Sequence, residues 1–248
     1  MTNNGVYVYA IIRSGRPLPN DTSGVGSPPA PLRMIRQGPV TAVVSDAPPQ
    51  LRARRRDLLA HQDLLMHLAE GGPLLPMRFG MVAQDEESVR KQLTVARTRH
   101  IAALEYLDGG VEVNIKALPA QNGLAALVAE DQNIRRLREE VRRHPSYDAS
   151  LRLGEAVSAA LSRRAAEAGQ RVVRELTPMA RAVAGGPEVH GCALNVSFLV
   201  NRSDSDDFRT RAQRFADAHR ERVELRMAGP LPCYSFVAAD GPLVSAGA

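Results

Sequence analysis

Tryptophan is absent from this chain of 248 residues, Tyr and Phe supply five residues each, and only 2 of its 32 basic residues are Lys. Cysteine is as scarce. Cys192 and Cys233 lie far apart with no CxxC context, which excludes a disulfide framework and a zinc site. Each sits in an apolar, strand-like run, where free Cys behaves as a small hydrophobe. No apolar run approaches the roughly 18 residues that cross a bilayer, so no membrane partner is expected. The N-terminus, Met1 to Gly5, lacks the charged and apolar regions of a secretory signal, so the chain reads as cytoplasmic. Too few aromatics are present to build the stacking platforms of single-strand nucleic-acid binders.

What is present describes a globular protein. The composition is 44% apolar and 24% charged, and a chain of 26.9 kDa can bury roughly 70% of its surface without staples. The formal charge is +5, and Arg is the residue of bidentate phosphate contacts. Its distribution argues against a nucleic-acid partner. Asp57 follows Arg54, Arg55 and Arg56, and Glu139 and Glu140 precede Arg142 and Arg143, so the arginines read as solvated surface.

Val6 to Ile12 is apolar on both faces, as in a strand inside a sheet. Residues 14–31 form a long Pro-, Gly- and Ser-rich loop, and Leu32–Arg36 with Val40–Ser45 form a hairpin around Gly38-Pro39. A helix is predicted from Arg54 to Ala69, its stripe being Leu58, His61, Leu65 and Leu68. The next strand, Leu74 to Val82, places Leu75, Met77, Phe79 and Met81 on one face. Pro76 confines it to an edge or a bulge. Asp85, Glu86 and Glu87 open a second helix that runs to Leu107. In the strand Val111–Ala117, Val111, Val113 and Ile115 point inward, while Glu112, Asn114 and Lys116 face water.

The texture then changes. One charged helix is predicted from Leu124 to Val141 and another from Leu153 to Leu176, paired as a coiled-coil-like αα-hairpin, with Pro178 kinking or restarting the second. A strand from Cys192 to Val200, a helix opened by Asp206-Asp207, a strand through Val223, Leu225 and Met227, and a final strand from Cys233 to Val237 complete the pattern. The fold class is α+β. An N-terminal domain over 1–118 has a mixed sheet with two helices on one face. A C-terminal domain follows over 119–238, and a disordered tail over 239–248.

No catalytic, cofactor or metal site announces itself. The loop Ser23–Ser27 is glycine-rich but lacks GxGxxG and GxxxxGK, so it reads as a turn. Asp57 and His61 stand at i, i+4, placed for a hydrogen-bonded pair, and an enzyme built around them is the alternative reading. His61 shares its stripe with Leu58 and Leu65, however, and a satisfied, partly buried histidine explains it more simply.

The most informative segment is Pro73-Leu74-Leu75-Pro76-Met77-Arg78-Phe79-Gly80, just downstream of Arg56-Asp57-Leu58-Leu59-Ala60-His61. With Val6 to Tyr9, Val43 to Asp46, Asn195 to Val200 and Gly229 to Val237, it resembles the gas vesicle protein F/L family, in order over roughly residues 5–237. Relatives often carry a Trp where this chain has Leu118. The resemblance implies a non-enzymatic accessory protein of gas vesicles. It would bind the small hydrophobic main shell protein, with other accessory gas vesicle proteins as further partners, and limit aggregation of the shell protein during nucleation. It also implies two α+β domains, the second a ferredoxin-like unit with an extended helical part. Pro76, Arg78, Phe79, Gly80 and Tyr234 are the candidate partner-contact or family-motif residues, with Phe79 expected in the core and Arg78 on the opposite face, paired with a carboxylate.

Overall fold

The computed structural model of the chain describes residues 5–20 and 22–237, and the tail expected over 239–248 lies outside the described residues. The chain divides into two compact units, one reaching Glu112 and resuming at Leu231, the other running from Val113 to Pro230.

The first unit is built on β1 (Val6–Arg13), which is central because its residues from Val6 to Ile12 are all buried. The hairpin β2 (Arg33–Gln37) and β3 (Val40–Asp46) forms as expected, turning at Gly38 with φ +62°, and β3 pairs with β1. After the helix α1 (Arg55–Glu70), two short strands, β4 (Leu74–Pro76) and β5 (Val82–Ala83), pair along the other side of β1. Every one of these pairings is antiparallel, so the sheet is not mixed. The crossover through α1 lands β4 beyond β1 instead of beside β3, and no parallel neighbours arise. The sheet order is β2-β3-β1-β4, which puts the Pro76 strand at an edge as its missing N–H requires.

Two sequence expectations fail here. The stretch from Leu74 to Val82 is not one strand. Pro76 cannot donate to a ladder, and Met81 N–H closes a turn on the Arg78 carbonyl at 3.3 Å with Gly80 at φ +92°. The second helix is also two, α2 (Glu86–Val95) and α3 (Arg97–Tyr106), broken at Ala96, which has ψ 13°. Asp85 caps α2 through Ser88 N–H.

The helices do not share a face. The register of β1 against β3 shifts between Val8 and Ala10, so Tyr7, Tyr9, Ala10 and Ile12 all join one cluster with Leu64, Leu65 and Leu68 of α1. Val89, Leu93, Leu104 and Leu107, buried on and just after α2 and α3, lie outside that cluster, and those helices cover the other face. A sheet sandwiched in this way explains why β1 reads as a continuous apolar run and why β3 is buried from Val40 to Ser45.

The second unit takes up β6 (Gly110–Pro119) from Val113 onward. It continues through α4 (Leu124–Glu130), α5 (Gln132–Arg143), α6 (Tyr147–Leu176), β7 (Ala182–Gly185), β8 (Leu194–Asn201), α7 (Ser205–Ala218) and β9 (Val223–Leu231). The sheet order β7-β8-β6-β9, with helices after β6 and β8, is a ferredoxin-like order. Phe198, Phe208, Val172, Leu176 and Phe215 fill its core, with Phe198 and Phe208 at a centroid distance of 5.1 Å. The helix expected from Leu124 to Val141 is broken at Asp131, whose backbone is extended and whose carboxylate caps α5 through the N–H groups of Asn133 and Ile134. Pro178 ends α6 in a short 3₁₀ turn, Thr177–Met179. The final strand expected from Cys233 to Val237 is a 3₁₀ turn over Tyr234–Phe236.

Candidate functional site

Two tyrosines in a fully buried strand pose a problem, because each hydroxyl must find partners away from water. Tyr7 and Tyr9 solve it with the side chains of His61 and Ser45 and the backbone N–H groups of Val25 and Gly80. The His61 ring is bonded on both sides, Nδ1 at 2.9 Å from the Tyr7 hydroxyl and Nε2 at 3.0 Å from the Met77 carbonyl oxygen. A carbonyl only accepts, so Nε2 carries the proton, and Nδ1 accepts from the Tyr7 O–H. Tyr7 in turn accepts from Gly80 N–H at 3.1 Å. Tyr9 runs a second chain of bonds. Val25 N–H donates to its hydroxyl at 2.8 Å, the hydroxyl donates to Ser45 Oγ at 2.9 Å, and Ser45 donates to the Asp46 carbonyl at 3.1 Å.

Electrostatics follow from this packing. Burial pushes the Tyr7 and Tyr9 hydroxyls above their ordinary range. Burial also pulls His61 below its usual value, against the opposing bond to Met77, so the ring is neutral at pH 7. Phe79 closes the cluster edge-on, 5.8 Å from the His61 ring and 6.0 Å from Tyr7.

The pairing of Asp57 with His61 that the i, i+4 spacing allows, on which the alternative enzyme reading rested, does not form. Asp57 is buried and accepts from Gly26 N–H at 3.0 Å and from Arg56 at 3.2 Å. The glycine-rich loop is therefore docked on the start of α1. Gly26 has φ +114°, and a Cβ on Gly24 would lie 2.6 Å from the Tyr9 hydroxyl, so both glycines are required by the docking. Leu58 and Leu59 are exposed, and the inward stripe of α1 is Asp57, His61, Leu64, Leu65 and Leu68.

The segment from Leu231 to Val237 returns to the same unit. Glu112, expected to face water, is 4% exposed and accepts from both the backbone N–H and the hydroxyl of Ser235, at 2.8 and 2.7 Å. The neighbouring Tyr234 is close enough to Tyr7 to act on it electrostatically. Burial and then the Glu112 charge push its own hydroxyl up to about 12. Asn114, also expected to face water, is half-buried and donates to Asn195, Val196 and Ser197.

The five candidate residues thus divide. Pro76 is buried opposite Ala10 in the edge strand β4. Phe79 is half-buried on the tyrosine–histidine cluster, and Gly80 holds the turn and donates to Tyr7. Arg78 is exposed and has no carboxylate partner among the described residues, contrary to expectation, because the turn carries it away from the sheet. Tyr234 is 38% exposed. Tyr7, Tyr9, Ser45 and Glu112 were not singled out from sequence; the signal available was two phenols inside a strand with no polar face.

In the second unit, α4, α5 and α6 enclose a small apolar cluster of Leu127, Ile134 and Ala160. Above it runs an open groove of about 830 Å³, lined chiefly by aliphatic side chains. Among the described residues no group of three or more His, Cys, Asp or Glu could hold a metal ion, and no helix is long and apolar enough to cross a membrane.

Fold and site together define an α+β protein of two antiparallel sheets that spends most of its motif side chains on its own architecture. The family model described as "Gas vesicle synthesis protein GvpL/GvpF" matches residues 5–238, and the chain belongs to that family. It is 40% identical over 235 residues to gas vesicle protein F of Streptomyces sp. (strain CB03234), covering 93% of this chain and 98% of the relative. Gas vesicle protein L of the same organism is 31% identical, covering 93% of this chain and 91% of the relative. The crystal structure of GvpF from Anabaena sp. PCC7120 shares the fold, with a TM-score of 0.74 at 23% identity over 96% of this chain and all of that one.

Proposed function

We propose that this protein is a non-enzymatic accessory factor of gas vesicle assembly. It binds the small hydrophobic shell protein in the cytoplasm or at the nascent vesicle and limits its aggregation during nucleation. The observation that carries this reading is the end-to-end match to gas vesicle proteins F and L, 98% and 91% of whose lengths are covered. Higher identity to the F relative than to the L relative of one organism supports the F type.

Physical chemistry supports a shielding role. A shell built from small apolar subunits exposes apolar faces and sheet edges until it closes, and such surfaces aggregate. The obvious base, His61, has both ring nitrogens engaged inside the core, which argues against catalysis at that cluster. Among the five candidate residues Arg78 and Tyr234 are the exposed ones. The test is co-expression of the shell protein with and without this chain, followed by sedimentation of the lysate. A larger soluble shell-protein fraction with the chain present is expected. Equal pelleting in both would sink the proposal.

A further inference from the structure

The groove of the second unit has a composition that specifies its occupant. Its floor is α6, where Leu153, Gly154 and Val157 follow helical spacing, and its walls include Val128 of α4 and Ile134 and Val141 of α5. Leu153, Val157 and Val128 rest their inner halves on the cluster below and leave their outer halves uncovered. Gly154 deepens the floor, since a Cβ there would meet nothing within 4 Å.

One charge lines this apolar trough, the guanidinium of Arg138. Toward the end of α5 the charges are matched. Arg142 and Arg143 pair with Glu139, and Glu140 pairs with Arg152 of α6. Arg138 has no ion pair or hydrogen bond among the described residues. While the groove is open, water solvates it. An apolar surface laid into the groove displaces part of that water, and a carboxylate brought by the partner compensates the guanidinium.

The lining also selects secondary structure. An added strand would press its own N–H and C=O groups against aliphatic walls that offer few partners beyond Ser150 and Arg138. A helix satisfies its backbone internally, and its ridges fit between rows spaced by three and four residues. We propose that the α4–α5–α6 groove is a docking site for an amphipathic helix from a partner protein, whose apolar row is flanked by an acidic residue that pairs with Arg138. This goes beyond the assembly role and does not require the shell protein to supply the helix.

The test uses the full chain and fluorescent helical peptides of about four turns. Each has a leucine row at i, i+3/i+4 and i+7, flanked by a single Glu in one peptide and a single Lys in the other. The Glu peptide is expected to bind at least about tenfold more tightly, which corresponds to one decade in Kd. Arg138→Glu reverses the order of the two peptides. Gly154→Leu fills the floor and abolishes binding of both, with a Tm no lower than that of the parent because a better helix former enters open space. Three outcomes would overturn the proposal. The first is equal affinity for the two peptides, the mark of unselective apolar binding. The second is peptide affinity unchanged by Gly154→Leu. The third is a parent dimer that Gly154→Leu splits into monomers, which would make a second copy of this chain the occupant.

Discussion

His61 and His100 are both held below the usual histidine range by burial, and the sign of the consequence is fixed. The unfolded chain takes up protons at these sites near pH 6.5, whereas the folded chain resists until a lower pH. The stability they contribute is therefore present at neutral pH and is lost as pH falls from about 6.5 through the depressed folded values. The two residues differ in what they do for the fold. His61 has both nitrogens bonded, while His100 Nδ1 is buried with no partner among the described residues. Replacing His100 with an apolar side chain of similar size removes an unsatisfied group, so His100→Leu should gain roughly 1 kcal/mol at pH 7 and more at pH 5. Urea unfolding at the two pH values checks this, and a variant less stable than the parent at both would refute it. The same residue-level logic explains what sequence could and could not show at the candidate site. His61 sits in the core because the stripe of its helix places it there, whereas Phe79 is half-buried against that core from a turn that strand alternation did not show. Glu112 looked solvent-facing by strict alternation, and only its bond to Ser235, more than a hundred positions away, makes its burial tolerable.

At the scale of elements, periodicity located the helices and failed at their breaks. Neither Ala96 nor Asp131 is a glycine or proline, so the apolar stripes run past both points without interruption. Asp131 did offer a cue, because a carboxylate followed by N–H groups two and three residues on is a cap, but a charged helix surface hides it. Pro76 and Gly38, by contrast, act through their own backbones, and the edge strand and hairpin turn they dictate were legible. Two glycines of α6 give an element-scale prediction with opposite signs. A Cβ on Gly154 meets open space, so Gly154→Ala should stabilise the helix by about 0.5–1 kcal/mol. A Cβ on Gly169 would lie 3.1 Å from Ala117 Cβ and 3.3 Å from Leu194 Cβ, where β6 and β8 press against the helix. Gly169→Ala should therefore lose roughly 1–3 kcal/mol through overpacking, despite the same gain in propensity. Thermal melts of the two variants should move in opposite directions, and a shared direction would show that propensity outweighs packing along α6.

At the scale of the molecule, the arginine excess that first pointed to nucleic acid is answered in part by carboxylates, as at Arg33 with Asp46 and Glu86, Arg90 with Glu86, and Arg164 and Arg222 with Glu130. Such pairs, mostly exposed, add little stability but keep a charged surface in solution. The less visible property is that the first unit is discontinuous, resuming at Leu231 after the whole of the second. Pro232 and Cys233 are buried, and Ser235 supplies two hydrogen bonds to the Glu112 carboxylate. A division after residue 118, where the sequence texture changes, would cut these apart. If the returning segment acts through Glu112, the two must be energetically coupled. Glu112→Ala in the full chain should cost about 1–3 kcal/mol, because two donors lose a buried acceptor. In a chain ending at Pro230 the donors are already gone, so the same substitution should cost less than about 0.5 kcal/mol. The difference between those two costs, measured by denaturant unfolding of four proteins, is the coupling itself. A Glu112→Ala penalty of equal size in the full and shortened chains would mean that the carboxylate serves the first unit without the returning segment, and that the unit's last strap holds by its apolar contacts alone.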